Sequence, residues 1–242
     1  MLTCLTYNIE FGHNLDKILV WLTKDASLFD IICFQEFPFS QITSLADSPL
    51  ATSFEYRTAL AFKHSSKEYG QLTWINTKKI KIVAAEKIYL GTNFLEGRVL
   101  GLTGGRSALA TQCNYNGTDF ILVNTHLVAF GSNKHRREQM AKIINHFAEP
   151  SYKNHPLIVL GDLNYSSLTG RGSLIKLMQA HEFTNAYTLN THRVLNIKDH
   201  QLDYVFYKNM EIENIKILKL PFSDHLPIIF TLPLNGDTQR RS

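Results

Sequence analysis

The chain has 242 residues, of which 44% are hydrophobic and 19% charged, with no biased tract. That composition excludes disordered, collagenous and coiled-coil classes and leaves enough chain for a sizeable core. The balance of 25 basic against 21 acidic side chains gives +4, which permits a phosphate-rich partner without requiring one. Cys4, Cys33 and Cys113 form no CxxC pair and are odd in number, so they read as small core residues, not as a disulfide framework or a zinc site. The opening MLTCLTYNIEFG lacks a basic n-region and an apolar h-region, and no run of about 18 apolar residues follows. The expectation is a cytoplasmic, monomeric protein with no integral membrane association.

Ten runs of β type recur along the chain: Leu2–Tyr7, Ile31–Phe34, Tyr56–Phe62, Gln71–Ile75, Ile80–Tyr89, Ser107–Asn114, Phe120–Asn124, Leu157–Leu160, Tyr204–Tyr207 and Ile228–Leu232. Helical spacing appears at Leu15, Ile18, Leu19 and Leu22 behind a cap at Asn14, at Met140, Ile143, Ile144 and Phe147, and at Leu174, Ile175, Leu177 and Met178. Asn116-Gly117 predicts a tight hairpin. Helices punctuate the strands without regular alternation, which predicts an α/β sandwich of mixed, mainly antiparallel sheets and not a doubly wound parallel sheet. Residues 1–234 read as one domain and the polar stretch 235–242 as a flexible tail.

Polar residues that resist burial recur at the ends of these apolar runs: Asn8, Glu36, His126, Asp162 and Asn164 follow strands, whereas Asp203 and the pair Asp224-His225 precede them. Glu36, between an apolar run and Phe37-Pro38-Phe39, is costly to desolvate unless a cation or hydrogen-bond partner holds it. Oxygen ligands of this kind suit Mg²⁺ or Mn²⁺ better than zinc. Asp162 in GDLN has the chemistry to take a proton from water, with Asn164 pointing the same way along an extended segment. Asp203 is placed to orient His225 and keep it cationic.

Read in order, TYNIE (residues 6–10), FQE (Phe34–Glu36), NTHL (Asn124–Leu127), GDLN (Gly161–Asn164), LDYVF (Leu202–Phe206) and SDHLP (Ser223–Pro227) resemble the successive motifs of the endonuclease/exonuclease/phosphatase superfamily. The resemblance spans residues 6–227 and implies a four-layer α-β-β-α sandwich with a site at one edge of the paired sheets. It implies Glu36 as the principal ligand of Mg²⁺, or of Mn²⁺, assisted by Asn8 and Asp224. It further implies Asp162 as the group that orients or deprotonates water, Asn164 as a donor to phosphate, and Asp203–His225 as a pair whose imidazole stabilises phosphate charge. His126 sets the chain apart from the abasic-site branch, which carries tyrosine there, and aligns it with deoxyribonucleases, sphingomyelinases, tyrosyl-DNA phosphodiesterases and inositol 5-phosphatases. Arg106 sits where deoxyribonuclease-like members place a phosphate-binding arginine, and Glu68 is a candidate partner for His126.

The implied activity is metal-dependent hydrolysis of a phosphodiester, DNA or RNA first. That preference draws on the positive balance and on basic clusters at residues 134–137, at Lys78, Lys79 and Lys81, and around Arg171, which with its Gly-bearing loop over Leu168–Ser173 is the candidate for substrate contact. A sphingomyelinase-like, inositol-phosphatase-like or tyrosyl-DNA phosphodiesterase activity is the alternative, and an inactive scaffold a remote one.

Overall fold

Leu5 and Tyr7 face one way and Cys4 and Thr6 the other along the first strand, yet all four are buried. A strand covered on both faces belongs between two layers, and that placement recurs through the centre of the molecule. A computed structural model describes residues 1–24, 28–186, 191–194 and 198–234; the predicted tail lies outside the described residues. In chain order the elements are β1 (Leu2–Asn8), α1 (Leu15–Lys24), β2 (Ile31–Pro38), α2 (Thr43–Ala46), β3 (Phe54–His64), β4 (Lys67–Asn76), β5 (Lys81–Gly91), α3 (Phe94–Leu100), β6 (Leu102–Gly104) and β7 (Arg106–Tyr115). They continue as β8 (Thr118–His126), α4 (Asn133–His146), β9 (Leu157–Asp162), α5 (Leu168–Gln179), β10 (Thr184–Asn185), β11 (His192–Val194), β12 (Lys198–His200), β13 (Asp203–Lys208), β14 (Glu213–Ile217) and β15 (Ile228–Leu232).

One sheet runs β14-β15-β1-β2-β4-β3-β6 and the other β10-β13-β9-β8-β7-β5. The pairs β1–β2 and β8–β9 are parallel, and the other neighbours in both sheets are antiparallel. Among the described residues, three of the apolar clusters separate four layers. Leu5, Tyr7, Ile32 and Phe34 pack with Ile18 and Leu22 of α1. Cys4, Cys33, Phe120, Leu122 and Ile158 fill the space between the sheets. Val123 and Val159 pack with Met140 and Ile143 of α4 and with Leu174 and Met178 of α5. This is the α-β-β-α sandwich expected from the sequence, with all three cysteines free and buried in it. Each of the ten predicted strands is present, and Asn116 and Gly117 turn the β7–β8 hairpin with φ of 51° and 84°, the twist a two-residue hairpin requires.

The two sheets are joined beneath one edge by polar contacts. Gln35 Nε2 donates to Thr6 Oγ1 at 3.1 Å and to Asn124 Oδ1 at 2.7 Å, and Asn124 Nδ2 donates to the carbonyls of Phe34 and Leu72. Gly161, beside this junction, has φ +123°, and a Cβ there would lie 2.1 Å from the carbonyl oxygen of Thr125. Neither the conformation nor the space admits a side chain, so Gly161→Ala is expected to destabilise the fold by more than about 2 kcal/mol. Chemical denaturation measures the loss.

Some of the chain departs from expectation. Residues 168–173 are the first turns of α5, capped by Ser167, whose Oγ accepts from Gly170 N; they are not a loop. A Cβ at Gly170 would meet Asn133 Nδ2 at 2.6 Å, so a larger residue there would have to displace the Asn133 side chain. Asn14 ties α1 to Phe222 O through its Nδ2 and accepts from Lys17 Nζ through its Oδ1.

Candidate active site

The strand ends named above converge at one edge of the sandwich. Parallel register sets His126 opposite Asp162, antiparallel register sets Asp162 opposite Asp203, and Asn8 lies opposite Gln35, next to Glu36. Glu36 needs a device to get there, because strand alternation would send it toward the α1 layer with Phe34. The β2–β4 register slips between Phe34 and Phe37, and Glu36 takes φ +57°. A bulge of this kind re-aims a side chain. Glu10, Phe11 and Asn164 around the same cleft also have positive φ, a concentration of strained backbone that marks functional sites.

Asp162 Oδ2 is the hub. Asn8 Nδ2 donates to it at 3.1 Å, His126 Nε2 stands at 3.4 Å and His225 Nε2 at 3.6 Å. The imidazoles are beyond strong hydrogen-bonding range, so the oxygen is ringed by donors but not locked to them. Asp162 Oδ1 accepts from Asn164 N at 3.0 Å, and Asn164 Nδ2 donates to Leu127 O. Glu36 Oε1 is 3.3 Å from Asn8 Nδ2, and its Oε2 accepts from Phe11 N at 3.1 Å. Asn8 therefore turns its amide nitrogen toward both carboxylates while its Oδ1 accepts from Glu10 N.

Burial pushes Asp162 up to about 7, with Asp203 and Glu36 adding to the rise and His225 opposing it. Burial likewise raises Glu36 against the pull of His225 and Arg106. For His225, burial alone would lower the pKa, but Asp203, at 2.8 Å from Nδ1, and Asp162 raise it to about 10. The two carboxylates favour the protonated imidazole over the neutral one. His126 is held well below its usual range, first by burial and then by the charges of Arg106 and His225. Asp224 is lowered because its hydrogen bond to His192 and the charge of His225 together outweigh the effect of burial.

Asp224 stands at the rim. Its Oδ2 is 3.2 Å from His192 Nε2, and its backbone N donates to Glu10 Oε2 at 3.2 Å. His192 also faces the His225 ring edge-on at 4.6 Å through an isolated bridge between the two residues. Nothing in the sequence singled it out, because only the folded chain brings residue 192 to residue 225. Glu10 was missed for the same reason.

Three further candidates have partners that the sequence did not indicate. Arg106 is 2% exposed; its Nε and Nη2 are taken by Glu96 and its Nη1 lies 3.2 Å from His126 Nδ1, so it meets the site through His126 and not as an open phosphate ligand. Glu68 pairs with Lys63 at 2.7 Å on the surface, while His126 finds Arg106 instead. Arg171 lies on α5 with Nε and Nη2 donating to Ser166 O. The basic cluster at residues 134–137 also loses a member, since Arg136 is buried and holds the carbonyls of Val128 and Ala129.

A sequence model of the endonuclease/exonuclease/phosphatase family matches residues 5–225. A UPF0294 protein of Vibrio parahaemolyticus is 26% identical over 135 residues, covering 54% of this chain and 46% of that protein; the match spans about half the length of this curated relative. Among solved structures, the human Nocturnin catalytic domain with bound sulfate anion superposes with a TM-score of 0.71 at 20% identity, covering 96% of this chain and 94% of that one. TDP2 from D. rerio complexed with single strand DNA product gives 0.71 at 15% identity, with 95% and 97% covered. The mannosyl-6-phosphatase of Bacteroides thetaiotaomicron gives 0.69 at 17% identity, with 97% and 100% covered. At these identities the likeness is one of fold.

Proposed function

The chain belongs to the endonuclease/exonuclease/phosphatase family, and from that premise we propose that it is a Mg²⁺-dependent phosphodiester hydrolase, acting on DNA or RNA by in-line attack of water. Members of the family are phosphoesterases or nucleases and generally use divalent metal ions. The observation that carries the reading is the convergence of Glu36, Asp162 and the Asp203–His225 pair on one cleft.

The donor set fits a hard cation. Asn8 Nδ2 lies within 3.3 Å of a carboxylate oxygen of both Glu36 and Asp162, and both carboxylates are pushed up by burial, so an oxygen-ligated divalent ion offsets charge the protein leaves concentrated. Glu36 would hold it, with Asp224 assisting directly or through water and Asn8 assisting once its amide turns Oδ1, here engaged by Glu10 N, toward the ion, and when bound it would polarise the phosphate oxygens. The chain's own residues supply the remainder. Asp162, poised near neutrality, accepts a proton from the attacking water. His225, kept cationic by Asp203, donates to a phosphate oxygen where charge develops. Asn164, with one amide hydrogen engaged by Leu127 O, offers the other to the phosphate.

A pH profile follows from the two shifts. Turnover needs Asp162 ionised and His225 protonated, so kcat/KM is expected to rise as pH increases through about 7 and to fall through about 10. A profile that falls between pH 6 and 8 contradicts the assignment.

Support for a nucleic-acid substrate comes from the net charge of +4 and from TDP2, which shares the fold and is complexed with single strand DNA. One observation favours a second reading, hydrolysis of a phosphoester that carries an apolar group: α3 exposes Phe94, Leu95 and Val99 while its Glu96 reaches Arg106. An ionic-strength series separates the two. Cleavage of a single-stranded oligonucleotide is expected to weaken steeply with salt, since each neutralised phosphate contributes a slope near −0.7. Salt-independent hydrolysis of a lipid phosphodiester, with no oligonucleotide cleaved, would replace the first reading by the second.

A further inference from the structure

Behind His126 lies a chain of buried charged groups that the proposed chemistry does not use. Glu96 is 4% exposed, Arg106 2% and His126 2%. Glu96 accepts from Arg106 through both carboxylate oxygens, Oε2 from Nε at 2.9 Å and Oε1 from Nη2. Its Oε1 also accepts from Ala129 N at 2.7 Å, three residues past His126. The guanidinium lies 4.6 Å over the Phe62 ring, and its remaining Nη1 is 3.2 Å from His126 Nδ1. A guanidinium only donates. Nδ1 must therefore be the lone-pair nitrogen, which leaves the ring proton on Nε2, 3.4 Å from Asp162 Oδ2. Glu36 Oε1, at 3.7 Å from Nδ1, is too far to compete for a proton there.

We propose that Glu96 and Arg106 are positioning residues that fix His126 as a neutral imidazole protonated on Nε2, so that it presents one immobile hydrogen-bond donor to the cleft beside Asp162. A neutral donor of this kind stabilises phosphate charge without releasing a proton, which separates its task from that of the cationic His225. The arrangement also accounts for the placement of α3. Asn93 caps that helix at Leu95 N and donates to Phe130 O, and Glu96 is its buried residue, so the helix is held where its carboxylate meets Arg106.

The task of His126 rests on the hydrolase reading above, but the tautomer does not, and the experiment keeps them apart. Full-length protein labelled with ¹⁵N-histidine is observed in a long-range ¹H–¹⁵N imidazole spectrum at neutral pH, with His126→Asn identifying the His126 signals among those of the ten histidines. The expected pattern is a protonated Nε2 and a bare Nδ1. In the Glu96→Gln/Arg106→Met double variant, the proton is expected to move wholly or partly to Nδ1, with kcat lowered about tenfold and KM within about twofold. A wild-type His126 protonated on Nδ1, or a tautomer unchanged in the double variant, overturns the proposal; should the double variant fail to fold, the wild-type spectrum and that of Glu96→Gln decide. Protein with the Nε2–H tautomer that hydrolyses no phosphoester would refute the hydrolase reading and leave the positioning role standing, and active protein with the opposite tautomer would do the reverse.

Discussion

Asp162→Asn is expected to lower kcat by at least about a hundredfold while the protein remains folded and becomes no less stable. The two effects separate because the carboxylate is retained at a cost. Asp162 is 2% exposed, and burial, with Asp203 and Glu36 nearby, lifts it to about 7. A carboxyl whose folded pKa lies above its unfolded value of 3.8 adds no penalty below that value. The penalty grows as pH rises and is complete above about 7, reaching the order of a few kcal/mol. Asparagine keeps an oxygen for the bond from Asn164 N but carries no charge and accepts no proton. The Tm of the variant relative to wild type should therefore increase from pH 4 to pH 8. A variant that keeps wild-type turnover would remove Asp162 from the role of base.

His225→Ala is expected to cost a similar factor in turnover with the opposite effect on stability. The imidazolium stands 2.8 Å from Asp203 and 3.6 Å from Asp162. Its folded pKa of about 10 lies above the ordinary 6.5, so its contribution is fully present below 6.5 and is lost as pH rises through about 10. Removing the ring leaves Asp203, 3% exposed, without its partner, and a buried charge stripped of its counter-ion is strongly destabilising. At neutral pH the variant should unfold several degrees below wild type, with the deficit shrinking toward pH 10. Coupling of the two groups in one charge network is measured by the double variant, whose stability change is expected to differ from the sum of the two single changes.

The strands were legible because their apolar runs are long and buried, on both faces for β1, β2, β8 and β9. What escaped is what tertiary pairing creates. β14, ENIKI, is mostly exposed on its edge, and β6 has three residues that pair in the sheet with β3. The turn between β3 and β4 uses Ser65 and Ser66 at φ 48° and 66°, where no Asn-Gly signal announces it. Gly170 and Gly172 read as loop residues, yet both lie in α5, where a Cβ at the first would meet the side chains of Asn133 and Ser167 and one at the second meets nothing within 4 Å. The site residues stood out because charged groups at the ends of apolar strands demand an explanation. Their partners did not: the choice of Arg106 over Glu68 by His126, and the pairing of His192 with Asp224, depend on contacts across 20 and 32 positions. The bulge at Glu36 is likewise invisible in FQEFP, although without it the carboxylate would face a helix.

The proposed hydrolysis of phosphodiesters in this cleft needs both a divalent metal and His225. Supercoiled plasmid incubated with the purified protein and Mg²⁺, beside an EDTA lane and a His225→Ala lane, tests it most directly. Nicking in the first lane alone is the predicted result. Nicking that persists in the EDTA lane or with His225→Ala would contradict the account.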